Sequence, residues 1–401
     1  MFTKQELDQF QMLRRDFHAY PELKYEEFRT SGKISALLKR WNFNGVYEGI
    51  GQTGVVGVLK GGGTAVSTET KTIGIRADMD ALPLNEENTF SHASQYFGKM
   101  HACGHDGHMA ILLAAAKKLA ESRNFCGHVN FIFQPAEEGG SGAKAMIDDG
   151  LFDRFPCDEI YALHNWPGLP EGYFGFNCGA IMGSSNQFEI VIEGKGGHAA
   201  MPHMCVDPVV VASHVIQALQ TVVSRVIKPI DPAVLSVSQV LAGDSPNIIG
   251  RSCKLLGTVR TFNMKTVDTI EKKIDLICEN LPLAFGATAK FKFTRQYPPT
   301  VNSEKITKIA MDVVKDRFGE TRIVRDVEPT MGAEDFAFML EKVPGTYFFL
   351  GNGDIAGHHR DEGHGGGPCT LHNSNYDFND KLISIGAEYW VTLVENRLSK
   401  F

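Results

Sequence analysis

The strongest constraint on the fold is the order in which short apolar runs and helical segments follow one another. Through the first 183 residues, runs at 55–59, 72–77, 128–134 and 160–164 are mostly apolar, and they alternate with helical patterns such as the Ala-rich stretch 108–120. Apolar strands separated by helices predict a mostly parallel sheet covered by helices on both faces. At the start of the chain, Thr3 and Glu6 fit a capping box, with Leu7, Phe10, Leu13 and Phe17 at helical spacing, which predicts a first helix.

From about residue 185 the texture changes. An alternating strand (187–193), a helix (207–227), two strands (235–241 and 254–262), a helix (267–281) and a last strand (289–293) give the order β-α-β-β-α-β. That is the split βαβ, or ferredoxin-like, pattern. Gln296-Tyr297-Pro298-Pro299 marks its exit, and 303–401 returns to helix and apolar strand, including 346–351. The chain therefore reads as an α/β domain in two segments, 1–184 and 298–401, with an α+β domain inserted at 185–297. Insertions favour exposed, Pro-rich boundaries of this kind.

Composition narrows the function classes. Lys and Arg number 40 against 47 Asp and Glu, a formal charge of −7 without a long basic run, so no nucleic-acid or anionic-membrane partner is expected. No run of roughly 18 apolar residues is present, and no membrane span is expected. The N-terminal residues lack the apolar run of a signal peptide, which predicts a cytoplasmic protein. Eight cysteines without a framework spacing then read as free thiols.

Four segments carry candidate chemistry. His101-Ala102-Cys103-Gly104-His105-Asp106-Gly107-His108 precedes the Ala-rich helix, and Cys103 and His105 flank a glycine, so both can face one point. A thiolate and an imidazole suit zinc, manganese, cobalt or nickel. Gln134-Pro135-Ala136-Glu137-Glu138-Gly139-Gly140 follows an apolar strand, at the sheet edge where ligands bind in parallel sheets. Two adjacent acids there can divide the work, one ligating a metal and the other carrying a proton. His164 and His372 sit in Leu163-His164-Asn165 and Leu371-His372-Asn373, the latter in a Gly- and His-rich region. Asp78 and Asp80 end another strand on the same predicted edge and read as carboxylates that orient an imidazole. In the inserted segment, His198 on a Gly-rich turn reads as a surface residue or as a donor to an oxyanion. Asn247 and Arg260 read as holders of a substrate carboxylate or as ordinary surface residues.

HACGHDGHMA, QPAEEGG, LHNWPGLP, GGHAAMPH, MGAEDFA and LHNSNYDFND occur in this order across nearly the whole chain. They resemble the motifs of the aminoacylase-like, dinuclear-metal amidohydrolases, in the branch of hippurate hydrolase, indole-acetyl-amino-acid hydrolase and N-acyl-amino-acid deacetylases. The resemblance implies that Cys103, His105, Glu138, His164 and His372 bind two divalent ions (manganese, zinc, cobalt or nickel), with Glu137 as general base. It implies a homodimer or dimer-based oligomer built through the inserted domain, with His198 reaching the partner's active site. Gly250 departs from the family, which usually has proline there.

The expected reaction is cleavage of a small-molecule N-acyl amino acid, hippurate-like, to a carboxylic acid and a free amino acid. N-acetyl-amino-acid or N-acetyl-diaminopimelate deacetylation, or dipeptide hydrolysis, are the alternatives on the same scaffold. A cysteine hydrolase using Cys103 and His105 would leave the acids and distant histidines without a role. A metal-free binding protein would not keep all five ligand positions filled.

Overall fold

The computed structural model describes residues 2–63, 71–360 and 363–399. The polar residues 64–70 and part of the Gly- and His-rich stretch, 361–362, lie outside the described residues. Two compact units emerge: Met1–Ile181 with Val301–Glu328 and Asp335–Phe401, and Met182–Thr300 with Pro329–Glu334. The second unit takes in Pro329–Glu334 because Gly183 N–H donates to both Thr330 O (2.9 Å) and Gly332 O (2.8 Å).

The first unit opens on α1 (Lys4–Ala19), where the Thr3 hydroxyl accepts from Glu6 N–H and the Glu6 carboxylate accepts from Thr3 N–H. This reciprocal cap satisfies orphan donors of the first turn. Next come α2 (Phe28–Arg40), β1 (Gly45–Ile50), β2 (Gly54–Lys60), β3 (Thr72–Asp78), α3 (His105–Ser122), β4 (His128–Gln134) and β5 (Glu159–Pro167). The short strand β6 (Phe174–Gly175) and the strands Ile323–Val324 and Gly345–Gly353 complete an eight-stranded sheet. Its centre, in the order β4, β3, β5, Gly345–Gly353, is parallel, as expected of strands buried on both faces. Antiparallel pairs flank it: β2 with β4 and with β1 on one side, and β6 with Gly345–Gly353 on the other, where Ile323–Val324 then adds parallel to β6. The edge strand β1 escapes a sequence reading because three of its six residues are exposed and no apolar run marks it.

The second unit is a four-stranded antiparallel sheet in the order Ala233–Ala242, Ser252–Thr261, Ser185–Glu193, Thr288–Tyr297. With the helices Pro208–Thr221 and Met264–Asn280 it has the ferredoxin-like topology. Its core includes Phe188, Ile190, Val215, Leu219, Leu255, Ile270 and Ile274. The helical run Pro208–Val226 is long and apolar enough, by length and composition, to pass for a membrane span, and only part of it is buried. Val211, Ala212, Val215 and Leu219 face the core, whereas Val209, Val210 and Val226 are exposed.

Candidate metal and active site

The parallel strands of the first unit carry the motif residues to one edge. β3 and β4 run in register, with Asp78 opposite Gln134, and His164 on β5 lies opposite Phe349. Beyond Gln134 the chain turns sharply: Ala136 (φ 52°), Gly139 (φ 74°) and Ser141 (φ 57°) are all left-handed. For a residue with a Cβ that conformation costs about 1–2 kcal/mol, so the turn needs outside support. Carboxylates supply it. Ala136 N–H donates to Glu27 (2.9 Å), and Glu137 and Glu138 N–H donate to the two oxygens of Asp80 (3.0 and 2.9 Å).

The helix α3 begins at His105, three residues before the predicted start at 108. The polar run that looked like a loop is held from outside. His105 Nδ1–H donates to Asp80 O (2.8 Å), and Asp106 pairs with Arg14 (3.1 Å) and His18 (2.8 Å) of α1. An acid in the first turn also suits the helix dipole. Gly104 precedes it with φ 88°, and a Cβ there would lie 2.2 Å from Asn165 Nδ2 and 2.5 Å from the Tyr376 hydroxyl, so glycine is required.

These elements gather the metal-binding candidates of the first unit. Ligand atoms of Cys103, Glu138 and His372 lie within 4.8 Å of one another, as do those of His105, Glu137 and Glu138, and those of Asp78, His105, His108 and His164. Cys103 Sγ is 3.3 Å from His164 Nε2, which links the groups further. Glu138 belongs to two of them, and all but Glu138 and His372 are buried. His372, itself at φ 60°, is held by its N–H on Ala102 O (2.8 Å).

Several observations fit a pair of cations. His105 and His164 spend Nδ1–H on backbone carbonyls, Asp80 O and Asn165 O, which turns each Nε2 inward as a lone pair. His105 Nε2 and Glu138 Oε1 are buried without a hydrogen bond; His372 Nε2 is 3.1 Å from the latter but off the hydrogen-bond line. Buried polar atoms left this way are expensive. Burial, then the charges of Glu138, Glu137 and Asp78, push the Cys103 thiol well above its usual pKa. Burial opposes protonation of His105, yet Asp78 and then Asp80 outweigh it and raise its pKa to about 10. A cation replaces both protons and balances the carboxylates, and sulfur, nitrogen and oxygen donors together suit borderline transition ions.

Asp78 faces inward as well. Burial works against its charge, but His105, Arg76 and His108 hold it well below the usual carboxylate range. Its oxygens take Arg76 Nη1–H (2.7 Å) and His108 Nδ1–H (2.7 Å). His108 Nε2 accepts from Asn165 N–H (2.9 Å), so the ring is held as the Nδ1–H tautomer with both nitrogens occupied. Asn165 also donates to Cys103 O (2.7 Å) and accepts from the Tyr376 hydroxyl (2.6 Å). Sequence reasoning gave His108, Asn165, Tyr376 and Glu27 no role. His108, Asn165 and Tyr376 sit inside motifs, but Glu27 is far away in the chain and only folding brings it in.

His198, Asn247 and Arg260 lie in the second unit. Gly197-His198 pairs antiparallel with Ile248-Ile249, and Ala199 N–H donates to Asn247 O (3.0 Å), so the His198 and Asn247 loops are neighbours. His198 is exposed, with Nδ1 accepting from Ala200 N–H (3.1 Å). Arg260 is half-buried on Ser252–Thr261, where burial lowers its pKa, and no carboxylate pairs with it among the described residues.

Residues 74–396 match the Peptidase family M20/M25/M40. The chain is 41% identical over 386 residues to a hippurate hydrolase of Campylobacter jejuni, covering 96% of this chain and 95% of that one. It is 39% identical over 350 residues to an N-acetyl-L-cysteine deacetylase of Bacillus subtilis, covering 86% and 81%. A Bacillus subtilis crystal structure described as a dinuclear metal-binding peptidase superposes with TM-score 0.83 at 30% identity, over 100% of both chains.

Proposed function

The chain belongs to Peptidase family M20/M25/M40 and is a metal-dependent amide hydrolase, and from that premise we propose its substrate and the work of each residue. The substrate is an N-acyl amino acid, hippurate-like, cleaved to a carboxylic acid and a free amino acid. The observation that carries this reading is the convergence of one thiol, two glutamates and three imidazoles at a sheet edge, in a chain 41% identical to a hippurate hydrolase.

Cys103, His105, Glu138, His164 and His372 would hold two divalent ions. When bound, such ions supply Lewis-acid polarisation of the acyl carbonyl and make water more acidic. Glu137 takes the proton from the attacking water and hands it to the leaving amine. Asp80 fixes the backbone of both glutamates, and Asp78 keeps His108 in one tautomer. His198 donates to the oxyanion from the partner subunit, and Asn247 and Arg260 bind the substrate carboxylate. Zinc, manganese, cobalt and nickel all suit the donor set, and the protein works in the cytoplasm.

The second unit is the dimerisation surface. Its edge strand Ala233–Ala242 exposes Val240 and Leu241, and the helix beginning at Pro208 exposes Val209 and Val210. Unpaired edges and apolar helix faces of this kind invite a second copy. Deacetylation of N-acetyl amino acids is the second reading, favoured by 39% identity to an N-acetyl-L-cysteine deacetylase.

The test is a hydrolysis panel of hippurate, N-acetyl- and indole-acetyl-amino acids with each metal added back, run beside Glu137→Gln. Turnover of at least one class is expected, falling on the order of 10²–10⁴-fold in Glu137→Gln while metal content holds. Near-normal turnover in the metal-loaded variant would remove Glu137 from the mechanism.

A further inference from the structure

We propose that Glu27 is a positioning residue for the catalytic turn: its buried carboxylate anchors Ala136 and thereby sets where Glu137 and Glu138 point. The inference rests on the reading of Glu137 as general base.

Glu27 stands at the start of α2, distant in sequence from the turn, and is fully buried. No Lys, Arg or His pairs with it among the described residues. Its oxygens instead accept from Ala136 N–H (2.9 Å) and the Thr53 hydroxyl (2.6 Å). Burial, with a further contribution from Asp80, raises its pKa to about 7 despite the Thr53 bond. A carboxyl without a cation is a poor choice for filling space, because burying it is costly unless its hydrogen bonds do something. What it does is visible in the backbone. Ala136, Glu137 and Glu138 present successive N–H groups, the first to Glu27 and the next two to Asp80.

The same N-terminal segment braces the rest of the site edge. The Tyr25 hydroxyl donates to Gly140 O (2.7 Å), closing the far end of the turn. Ala81 N–H donates to Glu22 O (2.8 Å), tying the segment to the residue after Asp80. Residues 22–27 thus hold both the turn and the strand end that supports it. Ala136 is left-handed and would relax if released, and a displacement of about 1 Å at a reacting group can cost on the order of 100-fold in rate.

The experiment compares Glu27→Leu, Glu27→Gln, Glu137→Gln and Glu159→Gln in the full-length, metal-loaded protein. Readouts are kcat, KM, bound metal by mass spectrometry and thermal unfolding. Glu27→Leu is expected to lower kcat by about 10- to 100-fold, with KM within about threefold and more metal needed for saturation. Glu27→Gln keeps an acceptor for Ala136 and should retain kcat within about threefold of wild type. Glu159, a buried carboxylate at the first residue of β5 that pairs with Lys71 and Arg397, is the stability control; its variant should lose stability and keep kcat. Glu27→Leu with near wild-type kcat, or Glu27→Gln falling as far as Glu27→Leu, overturns the proposal. If Glu137→Gln is itself active, the general-base reading fails instead. Should Glu27→Leu not fold, Thr53→Val loosens the same carboxylate: a kcat loss of a few-fold at constant KM supports the proposal, and no change overturns it.

Discussion

Replacing Asp80 by Asn changes one atom of a nearly buried side chain and tests how the site is held. Asp80 accepts Glu137 N–H at one oxygen (3.0 Å) and Glu138 N–H at the other (2.9 Å), and its first oxygen is 3.4 Å from His105 Nδ1. The amide keeps one acceptor and turns the other position into a donor that faces an N–H. One hydrogen bond to a charged group is lost, worth about 1.5–3 kcal/mol, and a buried N–H is left without a partner. The left-handed turn between Ala136 and Ser141 loses support it needs against about 1–2 kcal/mol of strain per residue. The expected outcome is a fall in Tm of a few degrees and a fall in kcat of about 10- to 100-fold, with the reacting carboxylate shifted rather than removed. Thermal unfolding and steady-state hydrolysis of the metal-loaded variant measure both. An unchanged kcat together with an unchanged Tm would refute the claim that Asp80 holds the two glutamates in place.

Three further outcomes are expected. Cys103 should resist thiol reagents while metal is bound and label after chelation at a rate that climbs with pH, because removing the ions frees the sulfur while burial and the carboxylates hold it protonated; equal labelling rates with and without metal would remove it from the ligand set. Burial opposes the charge on His18, but Asp106 and Glu86 outweigh it, against Arg14, and raise its pKa to about 10. Its stabilisation is therefore complete below its unfolded value near 6.5 and is lost as pH rises through about 10, so His18→Gln should flatten the decline in unfolding free energy over that window; an equal slope in both proteins would contradict the assignment. Mixing inactive His198→Ala with inactive Glu137→Gln should restore up to about half of wild-type activity per mixed dimer, because one site then holds both groups; no recovery despite exchange of tagged subunits would mean His198 does not serve the partner.

The buried ionic cluster behind α3 links the N-terminal helix to the site without touching it directly. Asp106, next to His105, is held by Arg14 and His18, and Arg14 also pairs with Asp377 from the C-terminal segment. Burying such charges is costly unless every partner is present. This explains how two distant stretches of chain, α1 and the C-terminal segment, fix the first turn of α3.

Much about this protein is determined locally. The capping box at Thr3 and Glu6, the buried strand at 128–134 and the β-α-β-β-α-β order are written in residue spacing, because helix and strand periods are properties of neighbouring side chains. So are the clustered donors Cys103 and His105, and the pair Glu137 and Glu138, which lie within a few residues of each other. Tertiary structure decided the rest. Start of α3 at His105, the support of the turn by Glu27 and Asp80, and the locking of His108 between Asp78 and Asn165 all depend on partners dozens to hundreds of residues away. The antiparallel edge β1 belongs with these, since what places it is hydrogen bonding to β2 rather than an apolar pattern of its own. Hydrogen bonds and ion pairs between segments leave no periodic trace in the chain, so the residues that hold a site are harder to read than the residues that perform its chemistry.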